Sequence, residues 1–199
     1  MSTVTSNISR TLNGSSSFTV GGDTYTWSGR YFDSLSLWAP DDAATRTVDL
    51  TFSGKSWSAG ALRFGGNLKV NIEDNTSSVG DDDRIYIDYI QLQNSGTSTV
   101  EPNKAEAETI SGGNGVQKVT IGYWANYITL NRGDDSVSVV GDGEVGSMDL
   151  GRGNDTLKTS GNAFVGSVYM SRGNDTVTLG QGGADFINLG RDADTIKFS

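Results

Sequence analysis

The chain has no cysteine and no histidine, and only two of its 199 residues are proline. Without cysteine there is no disulfide and no thiolate zinc site. Without histidine there is no serine or cysteine triad and no imidazole acid–base chemistry. No apolar run approaches the ~20 residues a spanning helix needs, and no secretory apolar segment follows Met1. Nucleophile elbows, phosphate loops and zinc motifs are also missing. Paired carboxylates of a glycosidase sit about 5–10 Å apart, but among nineteen aspartates some pair will do so by chance. The sequence therefore reads as non-enzymatic.

What is present is glycine, aspartate and β-forming side chains. Glycine occurs 27 times without a three-residue period, which excludes collagen. Val, Ile, Thr, Tyr and Trp are well represented, whereas long Ala/Leu/Glu/Lys runs are missing, so the fold class is all-β. The formal net charge is −9, carried by nineteen Asp against five Glu. Aspartate favours turns and is a hard oxygen ligand for calcium. A chain this acidic has no electrostatic footprint for nucleic acid.

Residues 1–100 read as irregularly spaced strands parted by turn clusters such as "VGGD", "APDD" and "SSVGDDD". This part is expected to be β-sandwich-like and to bind the ligand. "NSGTSTVEPN" (94–103) is the best linker candidate, and 101–111 a connection or cap in which "KAEAET" fits either a helical turn or a strand.

From Gly112 the chain becomes periodic. "GGNGVQKVT", "LNRGDDSVS", "LGRGNDTLK", "MSRGNDTVT" and "LGRDADTIK" stack on one another with periods of 18, 20, 20 and 19. Their sixth positions are Gln117, Asp135, Asp155, Asp175 and Asp194; their eighth positions are all aliphatic, Val119, Val137, Leu157, Val177 and Ile196. Glycine-opened connectors lie between, each closing on an aliphatic pair, with Tyr127–Ile128 less tidy. A unit this short cannot bury its own apolar face, so stacked copies must share a core. That predicts a parallel β-solenoid of four to five coils over 112–199, rising about 4.8 Å per coil. Aspartates stacked at that spacing repel unless a cation lies between them. Calcium takes six to eight oxygens, which two aspartates and turn carbonyls can supply. Gly133, Gly153 and Gly173 suit such turns, since glycine accepts positive φ and lets carbonyls point at an ion.

Residues 112–197 resemble the RTX (repeats-in-toxin) family, whose nonapeptide is Gly-Gly-x-Gly-x-Asp-x-aliphatic-x. "GGNGVQKVT" departs from it at Gln117, and Asp192 replaces a glycine in the last copy. "GQGGADFIN" matches with Asp185 at the sixth position, which implies an ion on the other edge. The resemblance implies calcium bound by Asp135, Asp155, Asp175 and Asp194, and folding only in calcium-rich surroundings. Some RTX solenoids carry Thr at the third position and bind ice. Here Arg132, Arg152, Arg172 and Arg191 stand there, so ice is not expected, although the arginine file could meet an anionic partner.

Residues 71–93, "NIEDNTSSVGDDDRIYIDYIQLQ", resemble the end of calcium-dependent xylan-binding modules. That likeness implies a second calcium site among Asp74, Asn75, Asp81, Asp82, Asp83 and Asp88, with ligand contact through Asp81 and Asp83. The order Asp74-Asn75 is reversed relative to that family. Trp27, Tyr31, Trp38 and Trp57 are candidates for an aromatic platform, with burial in a core as the competing role.

The expected function is a calcium-dependent adhesion module of a secreted or cell-surface RTX protein, binding an extracellular glycan or peptide, with no nucleic-acid partner and no membrane insertion. The chain reads as a piece of that longer protein. Two alternatives remain: a calcium-folded scaffold without a ligand, and an accessory module of an exported polysaccharide-modifying enzyme.

Overall fold

The computed structural model describes residues 2–6, 8–12, 16–20, 23–27, 31–40, 44–54, 57–76, 85–93, 98–103 and 105–199. The first half carries β1 (Ser2–Thr3), β2 (Ile8–Leu12), β3 (Ser16–Val20), β4 (Asp23–Trp27), β5 (Tyr31–Trp38), β6 (Arg46–Gly54), β7 (Trp57–Gly65), β8 (Leu68–Thr76) and β9 (Ile85–Gln93). The second carries β10 (Ser98–Asn103), β11 (Glu106–Ser111), β12 (Gln117–Ile121), β13 (Trp124–Thr129), β14 (Ser136–Val139), β15 (Glu144–Asp149), β16 (Thr156–Thr159), β17 (Phe164–Tyr169), β18 (Thr176–Leu179), β19 (Ala184–Asn188) and β20 (Thr195–Phe198).

These strands form two nine-stranded sheets and one two-stranded ribbon. The first sheet runs β1-β5-β7-β9-β11-β13-β15-β17-β19, and the second β2-β6-β8-β10-β12-β14-β16-β18-β20. Every pairing within them is parallel, for example β14 with β16 and β15 with β17. From β5 onward the chain alternates between the sheets, one strand in each per coil, which is the winding of a parallel β-solenoid. Among the described residues the one antiparallel pair is β3 with β4.

The aliphatic column explains why the coils stack. Val119, Val137, Leu157, Val177 and Ile196 are paired neighbours along the second sheet, and all but the terminal Ile196 are buried. Each buried aliphatic side chain of this kind stabilises the fold by about 1.5–3 kcal/mol. The untidy position resolves itself: Ile128 and Leu130 point inward and Tyr127 points out, 51% exposed. Strands of the first sheet break the two-residue alternation at mid-length. In β15 Val145 and Met148 are buried, while Gly146 and Ser147 between them are not.

Two expectations are corrected. The first half is not a sandwich of its own kind. β5, β7 and β9 belong to the same parallel sheet as β11, and β6 and β8 to the same sheet as β10. The aliphatic column continues backward through Val100, Val70 and Val48. Likewise 98–103 is a strand, paired with β8 on one side and β12 on the other, rather than a linker. "KAEAET" contributes most of β11, which settles its alternatives in favour of strand.

Candidate metal centre

The turn before each short strand of the second sheet holds the repeated aspartate. In "RGND" the arginine makes a single parallel bridge to the next coil, Arg132 to Arg152, Arg152 to Arg172 and Arg172 to Arg191. The following glycines adopt φ of 130° (Gly133), 142° (Gly153) and 135° (Gly173). They could not be anything larger. A Cβ on Gly153 would lie 1.7 Å from the carbonyl oxygen of Gly133, and one on Gly173 1.7 Å from that of Gly153. The glycine column thus brings successive turn carbonyls close to the backbone beside the aspartates.

The aspartates themselves turn inward. Asp135, Asp155 and Asp175 are each 1% exposed. Each uses one carboxylate oxygen to accept a backbone hydrogen bond from the preceding coil. The N–H of Gln117 donates to Asp135 Oδ1 at 2.7 Å, and that of Asp135 to Asp155 Oδ1 at 2.8 Å. The N–H of Asp155 donates to Asp175 Oδ1 at 2.7 Å, and that of Asp175 to Asp194 Oδ1 at 2.9 Å. The second oxygen, Oδ2, of Asp135, Asp155 and Asp175 is buried and has no hydrogen-bond partner. Gln117 ends the ladder: its side-chain Oε1 and Nε2 are also buried and unpartnered.

A buried carboxylate oxygen without a donor is expensive when ionised. Burial therefore raises the pKa of these carboxyls. Asp135 is pushed up to about 6 and Asp155 to about 7, in both chiefly by desolvation. The backbone hydrogen bond works against that rise, and the neighbouring carboxylates add to it. Asp175 is raised by the same burial. A folded-state value above the unfolded one of 3.8 means stability that is present below that value and lost as pH rises through the folded one. In chelator, the protein is therefore expected to melt at a higher temperature near pH 5 than near pH 8. A melting temperature that climbs with pH over that window would contradict the orphaned oxygens.

A second ladder lies beside the first on the surface. Asp134, Asn154 and Asn174 each accept, through Oδ1, a backbone N–H of the following coil at 2.8–3.0 Å. It needs no cation, because two of its three members are amides. Sequence reasoning missed the role of this column, although its unbroken run of Asx was visible.

The other expected ligands are placed differently. Asp185 is exposed within β19, in line with Gly146 and Gly166 rather than in a turn, so no carboxylate stands beside it on the two preceding coils. Asp88 is exposed on β9. It lies near Tyr86, whose hydroxyl donates to Glu108 Oε2 at 3.0 Å. Burial, then that hydrogen bond and the surrounding acids, raise the Tyr86 pKa. Asp74 and Asn75 lie on β8 beside Phe52 and Ser53, with side chains outside the described set. Asp81, Asp82 and Asp83 fall outside the described residues altogether, as do the side chains of Trp27, Tyr31 and Trp57. Trp38 is half-buried and lies across Gly65, where an added Cβ would fall 2.2 Å from its ring. It packs against its own fold rather than standing free.

Among the described residues no three acidic, cysteine or histidine side chains converge on one point. A cation here would need backbone oxygens besides the carboxylates, and the glycine turns bring such oxygens close. The donor set is all oxygen and hard, which fits calcium and not zinc. A scan against protein-family models and searches of curated proteins and of solved structures found no match to this chain.

Proposed function

We propose that this protein is a non-enzymatic, calcium-ordered binding module that works outside the cell. The observation that carries the reading is the column of buried, unpartnered Oδ2 atoms on Asp135, Asp155 and Asp175, continued by Asp194 at the end of the ladder. Four stacked aspartates bound three inter-coil gaps. Two carboxylates at each gap, with the carbonyls of turns such as Gly133 and Gly153, would hold one ion. Calcium would supply there the positive charge that the buried oxygens lack. Because the same residues close the turns, binding and folding are one equilibrium. Millimolar extracellular calcium fits weak, oxygen-only sites of this kind better than the cytosol does. The RTX resemblance supports the same reading, with a secreted or surface parent and a glycan or peptide as ligand. The scaffold alternative keeps the same ions and differs only in lacking a ligand.

Calorimetric titration of dialysed protein tests the proposal. We expect uptake of about three calcium ions, coupled to a gain of β-sheet circular dichroism, and little response to magnesium, which demands tighter octahedral geometry. Equal uptake of both ions, or uptake of neither, would overturn it.

A further inference from the structure

We propose that the arginine file binds a linear polysaccharide carrying one carboxylate or sulfate on each sugar. This deepens the binding-module reading, and rests on it only in that calcium is taken to order the turns that hold the arginines.

Arg132, Arg152, Arg172 and Arg191 are exposed and stacked by backbone bridges, one per coil. Their guanidinium groups make no hydrogen bond or ion pair with any described residue. Four aligned cations with no carboxylate partner among the described residues are out of keeping in a chain of 24 acidic and 15 basic residues. At about 4.8 Å apart they repel one another, and an anion laid along them would relieve that repulsion.

Beside the file runs a groove. One stretch, about 210 Å³, is lined by Arg152 and Arg172 with Asp149 on its wall. The next, about 380 Å³, shares Ser171 and Arg172 with the first and continues past Tyr169, Asn188 and Arg191. Asp149 is already engaged, accepting from Ser171 Oγ at 3.2 Å. The second stretch has no acid in its lining, so it is the stronger subsite. Tyr169 is 39% exposed there and is braced by Phe186, their ring centroids 5.6 Å apart. A braced aromatic wall offers a stacking face for a sugar ring, and Ser171 and Asn188 offer partners for its hydroxyls.

The aromatic wall beside Arg172 and Arg191 favours a charged sugar chain over an acidic peptide, because a sugar ring has an apolar face to stack on Tyr169 and an acidic side chain does not. Arginine suits either carboxylate or sulfate, because its planar fork meets two oxygens at once.

The test uses calcium-saturated full chain and short oligogalacturonate, with its methyl ester as an uncharged copy of the same backbone and poly-aspartate as the peptide control. Oligogalacturonate should bind in a salt-sensitive manner and the ester should not. Each of Arg172→Gln and Arg191→Gln should weaken binding roughly tenfold. Both variants should keep the wild-type circular dichroism and calcium response, since their backbone bridges remain. Unchanged affinity in the double variant, equal binding of the ester, or equal binding of poly-aspartate would overturn the proposal. The two readings fail separately. If the fold withstands chelator while binding still needs Arg172, the calcium reading falls and the groove stands. If the fold needs calcium but no oligogalacturonate binds, the groove falls alone.

Discussion

Stripping calcium with excess chelator at neutral pH should melt the aspartate-bearing coils, with loss of most β-sheet circular dichroism from the second half. The size follows from mass action. An ion at a hundredfold excess over its dissociation constant stabilises the folded state by about 2.7 kcal/mol. Three such ions contribute about 8 kcal/mol, as much as the whole net stability of an ordinary domain. The metal-free state also carries the desolvated charge of Asp135, Asp155 and Asp175, each pushed up in pKa by burial. Amide hydrogen exchange would locate the loss. Protection should vanish first along β14, β16 and β18, which follow the aspartate turns. It should persist longest at β7 and β9, whose Leu62, Phe64, Ile87 and Ile90 are fully buried away from any repeat aspartate. Protection unchanged by chelator in β14 to β18 would refute calcium as the partner of the ladder. Re-acidification gives an internal control. If the missing cation is the cause, protons should replace it in part, and structure should return near pH 5 without metal.

Much of this arrangement was legible in the residues, and the illegible parts have physical causes. The repeat from Gly112 onward predicts a parallel solenoid because equal spacing forces equal positions into register, as the pairings of Val137, Leu157 and Val177 bear out. The first half hid the same architecture because its coils are unequal. Val48, Val70, Val100 and Val119 sit on one column at separations of 22, 30 and 19 residues, so no fixed period exists to find. The widest of these separations spans the acidic stretch 77–84, which sequence reasoning took for a ligand site and which lies outside the described residues. The inward turn of the repeat aspartates could have been seen. In a strand, residues two apart share a face. Asp155 is two before Leu157 and four before Thr159, so a buried Leu157 already implies a buried Asp155. Reading aspartate as a turn residue concealed that parity. Asp185 misled for the opposite reason. It fits the nonapeptide spacing, yet its segment is a strand with a mid-length bend, and spacing alone does not distinguish a turn from such a bend.

Replacing Asp155 with asparagine separates a cation-bridged ladder from one held by hydrogen bonds alone, because the effect changes sign with metal. Asparagine keeps the Oδ1 that accepts the Asp135 N–H at 2.8 Å, and leaves untouched the backbone N–H that donates to Asp175. It removes the ionisable group that burial pushes up to about 7, and with it the repulsion from Asp135, Asp175 and Asp134. That relief at alkaline pH is on the order of 4 kcal/mol. The new buried amide donor, placed where Oδ2 had no partner, costs about 1–3 kcal/mol. In chelator near pH 8, where the wild-type coils are largely melted, the variant should therefore favour the folded coils by about 1–3 kcal/mol more than wild type, read as more retained β-sheet circular dichroism. In calcium the order reverses. Asp155 faces two of the three gaps, so Asp155→Asn weakens two ions together and should cost about 3–5 kcal/mol or more. The two melting curves, with and without calcium, must cross between wild type and variant. If Asp155→Asn is stabilising in both buffers, the ladder is a hydrogen-bonded column that needs no ion. If it is destabilising in both by similar amounts, the carboxylate has a partner in the metal-free fold, and the orphaned oxygen from which the site was built does not exist.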